Sequence, residues 1–199
     1  MKSNVCKIEN GSQDLNAIFA ECEKVAAYNG LDHKQAMQLR LLCEEIDGML
    51  PQIVEDFYGD IWFEFEDGVC KVKVSFQMAE LTTDKKEKLI DVAKNKKNAE
   101  ATGLIGKIRS GIEDFFLVKD EISEHSFAAE PFYMATGYNE VVDYSYIWSL
   151  EHYRNTVKKE EQAEKWDELE KSVIASIADD VTVGIKGKRA DIVVVKRFA

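Results

Sequence analysis

Two pairs of strand-like segments, each joined by a glycine turn, constrain the fold of this chain most strongly. Residues 61–67 and 69–78 alternate apolar with charged side chains on either side of Asp67-Gly68, a dipeptide that favours a two-residue hairpin turn. Residues 181–198 contain a second such pattern around a Lys-Gly-Lys sequence. Because strands joined by tight turns run in opposite directions, the two hairpins predict a largely antiparallel sheet.

The alternation in the first hairpin also predicts which side chains share a face, because successive residues of a strand point to opposite sides. One face would direct valine and phenylalanine side chains toward a core. The other face would bring Glu64 and Glu66 opposite Lys71 and Lys73. Opposite charges on neighbouring strands attract each other, so we expect cross-strand ion pairs on a solvent-exposed face.

Two amphipathic helices are predicted before the first hairpin. The first follows a cap at Ser12 or Asp14 and continues to the Asn-Gly pair that ends it, with apolar residues recurring at three and four positions. The second begins after Asp32, where Gln35 three residues later matches a capping box, and extends to about Phe57. Each helix therefore has one apolar stripe that a core can bury.

The order of these elements predicts the fold class. A short first strand at 4–9 precedes the two helices, the first hairpin, a variable segment and the final hairpin. Grouped amphipathic helices and a mostly antiparallel sheet are typical of an α+β fold, here a two-layer sandwich whose sheet is covered on one face by helices. We expect residues 1–199 to form a single domain, within which residues 119–178 form a helical and aromatic insertion.

Composition and charge exclude several classes of protein. The 199 residues are 45% hydrophobic, which is too apolar for a disordered chain. A formal net charge of −11 argues against nucleic-acid binding and against docking on anionic membranes, because phosphates favour clustered lysine and arginine. No run of about 18 apolar residues suits a membrane span, and the first residues lack the apolar core of a secretory signal.

The cysteines and histidines indicate an ordinary cytoplasmic chain. The four cysteines are far apart, and none has the paired spacing of redox or zinc motifs. His33, His125 and His152 also lack the spacing of metal ligands. We therefore expect reduced cysteines and no metal site.

Several strings of residues carry a resemblance to a known family. Residues 15–50 contain a helix, a Gly-Leu turn and a second helix that holds the acidic pair Glu44-Glu45. Residues 103–114 form the glycine-containing start of a helix, and residues 181–198 close the pattern. In this order the chain resembles the histidine-kinase-like ATPases of the GHKL or Bergerat fold, nearest to the bacterial anti-sigma-factor serine kinases. The resemblance covers more than half of the chain.

The resemblance implies a regulatory protein that binds ATP and acts on a protein partner. Glu45 would be the catalytic acid or base, and Glu44 would lie beside the nucleotide. Gly103, Gly106 and Lys107 would hold the phosphates, since N–H groups at the start of a helix attract anions and a lysine adds a positive charge. In this family an Asn four residues after the Glu holds Mg²⁺, and an Asp-x-Gly-x-Gly element binds the adenine.

The chain departs from the family at both of the last two elements. Gly48 and Met49 stand four residues after Glu44 and Glu45, and Asp47 is the nearest other oxygen ligand. The residues that directly follow the first hairpin contain no glycine. The alternative is therefore a non-catalytic module of the same fold that acts through protein–protein contacts.

Each candidate segment also has a structural interpretation. Glu44 and Glu45 point about 100° apart on a helix and suit a solvated helix edge, and the glycines of 103–106 suit close packing of a helix on the sheet. The lysine-rich run 85–97 suits either a solvated helix face or a lid over an anionic ligand. The aromatic stretch 132–148 suits either a cover for the sheet or an interface with a regulator or a second copy of the chain.

Overall fold

The structure is a computed structural model with four helices and six strands among the residues that it describes. These residues are 1–10, 14–54, 56–78, 104, 106, 108, 146–159 and 172–198. In chain order the elements are β1 (Cys6–Glu9), α1 (Leu15–Tyr28), α2 (His33–Ile53), β2 (Phe57–Glu66), β3 (Val69–Met78), β4 (Tyr146–Ser149), α3 (Leu150–Lys159), α4 (Val173–Ile177), β5 (Asp180–Lys186) and β6 (Arg189–Arg197).

The described strands form one sheet in the order β1-β2-β3-β6-β5-β4, and every neighbouring pair is antiparallel. The two hairpins, β2–β3 and β5–β6, lie side by side at its centre because β3 pairs with β6. The predicted α+β class with a mostly antiparallel sheet is therefore confirmed. That the helices cover one face of this sheet stays a prediction.

Turn residues determine both hairpins. Asp67 and Gly68 have φ values of 48° and 76°, the left-handed backbone that a tight two-residue turn requires and that favours glycine. Gly187 in the second hairpin has a φ of 59°. The predicted turn positions are correct.

The ends of the two long helices follow from their caps. The Asp14 carboxylate accepts a hydrogen bond from the Ala17 N–H at 3.2 Å at the start of α1. Asp32 and Gln35 form the expected capping box at the start of α2. The predicted end of α2 near Phe57 is wrong, because α2 ends at Ile53 and Phe57 instead begins β2, where its side chain is buried against the core.

One face of the sheet is apolar from β2 to β5. Phe63 pairs with Val72, Val72 with Val194, and Val194 with Val181, and all four side chains are fully buried. These residues share one hydrophobic cluster with the apolar stripes of α1 and α2. This cluster is the core that the alternation predicts.

The opposite face of the sheet differs from the prediction. The neighbouring row runs from Trp62 through Lys73 and Val193 to Thr182, and all four residues are buried. Lys73, only 2% exposed, donates from Nζ to Oε2 of Glu64 at 2.6 Å. The predicted ion pair is therefore present, but the expectation of a solvent-exposed face is wrong for the centre of the sheet.

Candidate functional site

The acidic pair on α2 belongs to the surface of the helix. Glu44 is exposed, and its Oε1 accepts from Nε of Arg40 at 3.2 Å. The same guanidinium donates to Glu23 of α1 at 3.0 Å and lies 4.4 Å from the centre of the Phe19 ring. Glu45 is half-buried. Arg40 thus joins α2 to α1 through Glu23 and Phe19, and Glu44 is its partner within α2, as the structural interpretation of a solvated edge expects.

The positions four residues after the acidic pair offer no oxygen ligand. Gly48 is exposed, and a Cβ built on it meets no atom within 4 Å. Met49 is 1% exposed and packs in the core with Ile46 and Leu50. Asp47 is half-buried, and burial raises the pKa of its carboxyl group. On this turn of α2, Met49 therefore packs in the core, and Gly48 leaves an exposed position without a side chain.

The predicted phosphate-binding segment is described only at alternate residues. Gly106 is helical and buried, which suits close packing, and Leu104 and Ile108 belong to the same core cluster as α2. Gly103 and Lys107 lie outside the described residues, as does the lysine-rich run 85–97. Contact between these residues and a phosphate stays a prediction.

The described end of the aromatic stretch belongs to the structure of the sheet edge. Trp148 lies on β4, and its ring centre is 6.2 Å from that of Tyr153 on α3. Between them, buried Asp180 accepts from the Glu151 N–H at 2.9 Å and from the Ser149 hydroxyl at 3.3 Å. Asp180 therefore caps the start of α3 and ties it to β5.

Three thiols meet where α1, α2 and β3 pack together. Cys22, Cys43 and Cys70 are free and buried. A hydrogen bond with Cys22, together with burial, raises the pKa of Cys43, and burial raises the pKa of Cys70 to about 12. The thiols of Cys43 and Cys70 therefore stay protonated near neutral pH, which makes them poor nucleophiles. In the part of the chain that the structure describes, no group of three or more histidine, cysteine or acidic side chains is placed to hold a metal ion.

A cleft between the N-terminal segment and α1 is a further feature that the sequence did not predict. Its volume is about 520 Å³, and it is lined by residues 4–7 and by Asp14, Ala17, Ala20, Glu21 and Lys24. Ala17 and Ala20 present small side chains on the helical wall. The other wall is the first strand of the sheet.

Glu21 is the centre of the polar contacts at this cleft. Its carboxylate accepts from Lys24 Nζ at 2.6 Å and from the backbone N–H and Nδ2 of Asn4 at 3.1 and 3.0 Å. These hydrogen bonds lower the pKa of Glu21 despite the opposing effect of burial. The sequence does contain one indication of this site, since Glu21 stands next to Cys22 on the otherwise apolar stripe of α1.

Comparison with protein-family models, with curated proteins and with solved structures found no match for this chain. Among the helices that the structure describes, none combines the length and the apolar character that crossing a bilayer requires.

Proposed function

We propose that this chain is a cytoplasmic regulatory protein of the GHKL-like type that acts by contact with a protein partner. In this proposal ATP is a ligand of the protein and is not a substrate for phosphoryl transfer. The observation that carries the proposal is the position of Met49, buried in the core where a catalytic member of that family would place an Mg²⁺ ligand.

The chemistry of phosphoryl transfer explains why this position matters. Mg²⁺ bridges the phosphates and neutralises the charge that develops on them, and it requires oxygen ligands in near-octahedral geometry. The buried thioether of Met49 supplies none, and Gly48 has no side chain. Asp47 is a weak substitute, because the burial that raises its pKa disfavours the charged form that a metal would need.

The resemblance in element order is what supports nucleotide binding. Backbone N–H groups at the start of a helix bind phosphate without a metal, and Lys107 would add a positive charge. Glu45 would then be a remnant of the catalytic residue, and Glu44 would serve the ion pair with Arg40. The partner is either a regulator or a second copy of this chain.

Calorimetric titration of ATP and ADP, each with and without Mg²⁺, tests the proposal. We expect Kd values that agree within about twofold with and without the metal, and no release of phosphate from ATP, because a Mg²⁺-dependent contact worth about 1.4 kcal/mol would change the Kd tenfold. Binding that tightens tenfold or more with Mg²⁺ would contradict the non-catalytic proposal. The absence of any binding at millimolar nucleotide would remove ATP from it.

A matched pair of variants at position 48 sharpens this titration. Gly48→Asn places an amide four residues after Glu44, and Gly48→Ala is its control. Both should fold, because the added Cβ meets open space. Replacing an exposed helical glycine with alanine should also stabilise the protein by about 1 kcal/mol. We expect neither variant to acquire Mg²⁺-dependent binding, since Glu44 is directed to solvent and paired with Arg40.

A further inference from the structure

The outer edge of β1 offers hydrogen-bonding groups that the proposed nucleotide site does not use. β1 is the terminal strand of the described sheet. On its inner side, the Asn10 N–H donates to the Phe57 carbonyl of β2 at 3.2 Å. Backbone groups of an antiparallel strand alternate between its two sides. Ile8 therefore directs its N–H and C=O toward β2, and Lys7 and Glu9 direct theirs outward.

Solvent reaches the residues of this edge whose backbone groups face outward. Val5 is 51% exposed, and Asn4, Lys7 and Glu9 are also exposed. Outward N–H and C=O groups on an accessible edge are a template for pairing with another extended chain. An extended peptide has the backbone geometry that can pair with such an edge.

A β-bulge in the N-terminal segment brings the backbone of Asn4 into contact with α1. Lys2 is bridged to Glu64 while Cys6 pairs with Ile61, so the N-terminal segment has one more residue than β2 over this interval. Within the interval, the Asn4 backbone N–H turns away from the sheet and donates to Glu21 of α1. The bulge and the helix are thereby joined across one end of the cleft.

The rest of the cleft has room for side chains of a bound strand. Ala17 and Ala20 form its helical wall, and the volume of about 520 Å³ exceeds that of a few side chains. At one end, Lys24 is neutralised by its ion pair with Glu21. At the other end, Asp14 is exposed, and Glu9 is exposed on the adjoining strand edge.

We propose that the edge of β1 and the cleft beside α1 bind an extended segment of a partner protein by strand addition. The segment pairs its backbone with Lys7 and Glu9 and directs an apolar side chain against Ala17 and Ala20. It carries a basic residue toward Asp14, and the net charge of −11 attracts such a partner over a longer range. This inference rests on the proposed function through protein contact.

The test selects peptides of about eight random residues, displayed on phage, against the full chain, and measures their affinity as synthetic peptides. Two variants localise the binding. Ala20→Arg fills the cleft from an exposed position of α1, and Ala27→Arg places the same side chain on an exposed position of the same helix outside the cleft. We expect Ala20→Arg to weaken binding at least about tenfold and Ala27→Arg to change it less than about twofold.

Backbone methylation of the selected peptide tests strand addition itself. Methyl groups on alternate backbone nitrogens remove donors from one edge of the peptide only. Methylation of one set should abolish binding and methylation of the other should leave it nearly unchanged, because only one edge of an added strand pairs with β1. Equal tolerance of both sets would overturn the proposal.

Two further outcomes would also overturn it. A selection that yields no peptide with measurable affinity, or peptides that bind Ala20→Arg as well as wild type, would show that this edge is not a peptide site. Sedimentation showing a dimer that Ala20→Arg dissociates would assign the edge to a second copy of the chain instead. The nucleotide titrations do not involve β1, so a failure here is distinguishable from a failure of the proposed nucleotide role.

Discussion

The two faces of the central sheet are both buried, yet they are built from different chemistry. On the core face, Phe63 and Val72 are neighbours in an entirely apolar row. One residue along the strands, Trp62 and Lys73 are neighbours in a row that contains a charge. The core face gains stability from burial of apolar area alone. The second face can bury a charge only because it also supplies partners for that charge.

The ion pair on the second face shows how the charge is accommodated. The carboxylate of Glu64 accepts from Lys73 at 2.6 Å and from the indole Nε1 of Trp62 at 3.0 Å. Lys2 lies 3.8 Å from the same carboxylate and 5.3 Å from the centre of the Trp62 ring. The carboxylate is itself about one-third exposed. Glu64 therefore connects a buried ammonium group to the solvent-exposed edge of the cluster.

The largest expected effect is on the core face. Phe63→Ala should lower the free energy of unfolding by about 3–5 kcal/mol, because it removes a fully buried ring and leaves a cavity that neighbouring strands cannot close. Urea denaturation followed by circular dichroism measures this loss. A loss below about 1 kcal/mol would mean that the core face is loosely packed and that the contrast between the faces is false.

A smaller and asymmetric effect is expected on the second face. Glu64→Gln should cost about 2 kcal/mol, because it deprives the buried Lys73 ammonium group of a charged partner. Lys73→Met should cost less, about 1 kcal/mol, because it removes the buried charge and leaves Glu64 partly solvated with Trp62 and Lys2 nearby. Urea denaturation of both variants tests the asymmetry.

The double variant Glu64→Gln/Lys73→Met provides the control for this pair. If the cost of Glu64→Gln arises because the buried Lys73 ammonium group loses the charge of the Glu64 carboxylate, the double variant should be more stable than Glu64→Gln alone. Additive losses would instead show that the two side chains contribute independently. In that case the second face would be held by packing, like the core face.

The sequence was sufficient for features that depend on local chemistry. Asp67 and Gly68 adopt the backbone that their turn requires, and Asp32 forms its capping box with Gln35. Each of these depends on residues within a few positions of one another. The alternation along β2 and β3 likewise determined which residues share a face.

Features that depend on distant parts of the chain could not be predicted in this way. Alternation assigns Lys73 to a face but does not say what lies over that face, so its burial was missed. The strand at Tyr146–Ser149 was missed because its residues, Tyr-Ile-Trp-Ser, do not alternate apolar with polar side chains. The cleft beside α1 depends on the contact of Asn4 with Glu21, which are seventeen positions apart. Only the charge of Glu21 on an apolar stripe indicated it.

The candidate nucleotide residues illustrate a different limit. Glu44 and Glu45 were selected by resemblance, which identifies positions and not their surroundings. The burial of Met49 follows from how α2 packs in the core. Arg40, the partner of Glu44 within α2, also contacts Glu23 and Phe19 of α1. The same local sequence would suit acidic residues on a solvated helix surface and acidic residues in a catalytic site. Only the packed structure could distinguish these two roles of Glu44 and Glu45.

The smallest expected effect, a dependence of stability on acid pH, comes from the second face. Burial alone would raise the pKa of Glu64, but hydrogen bonds from Lys73 and Trp62 and the nearby ammonium charges outweigh it, and the net pKa is lowered. A carboxyl group whose pKa is lower in the folded state stabilises that state at pH values above its ordinary pKa of 4.5. This stabilisation is lost as the pH falls from 4.5 through the lower folded pKa.

Unfolding measured by urea between neutral pH and about pH 2 tests this assignment in wild type and in Glu64→Gln. Wild type should lose more stability on acidification than the variant, so the difference between them should shrink toward low pH. Glu21, whose pKa is also lowered, is unchanged in both proteins and leaves a residual acid dependence in the variant. Glu66→Gln, which alters an exposed carboxylate on the same strand and face, is the control and should follow wild type. Parallel curves of unfolding free energy against pH for wild type and Glu64→Gln would show that the charge of Glu64 gains no stability from the buried Lys73. The ion pair would then not stabilise the second face, in contrast to the apolar packing that stabilises the core face.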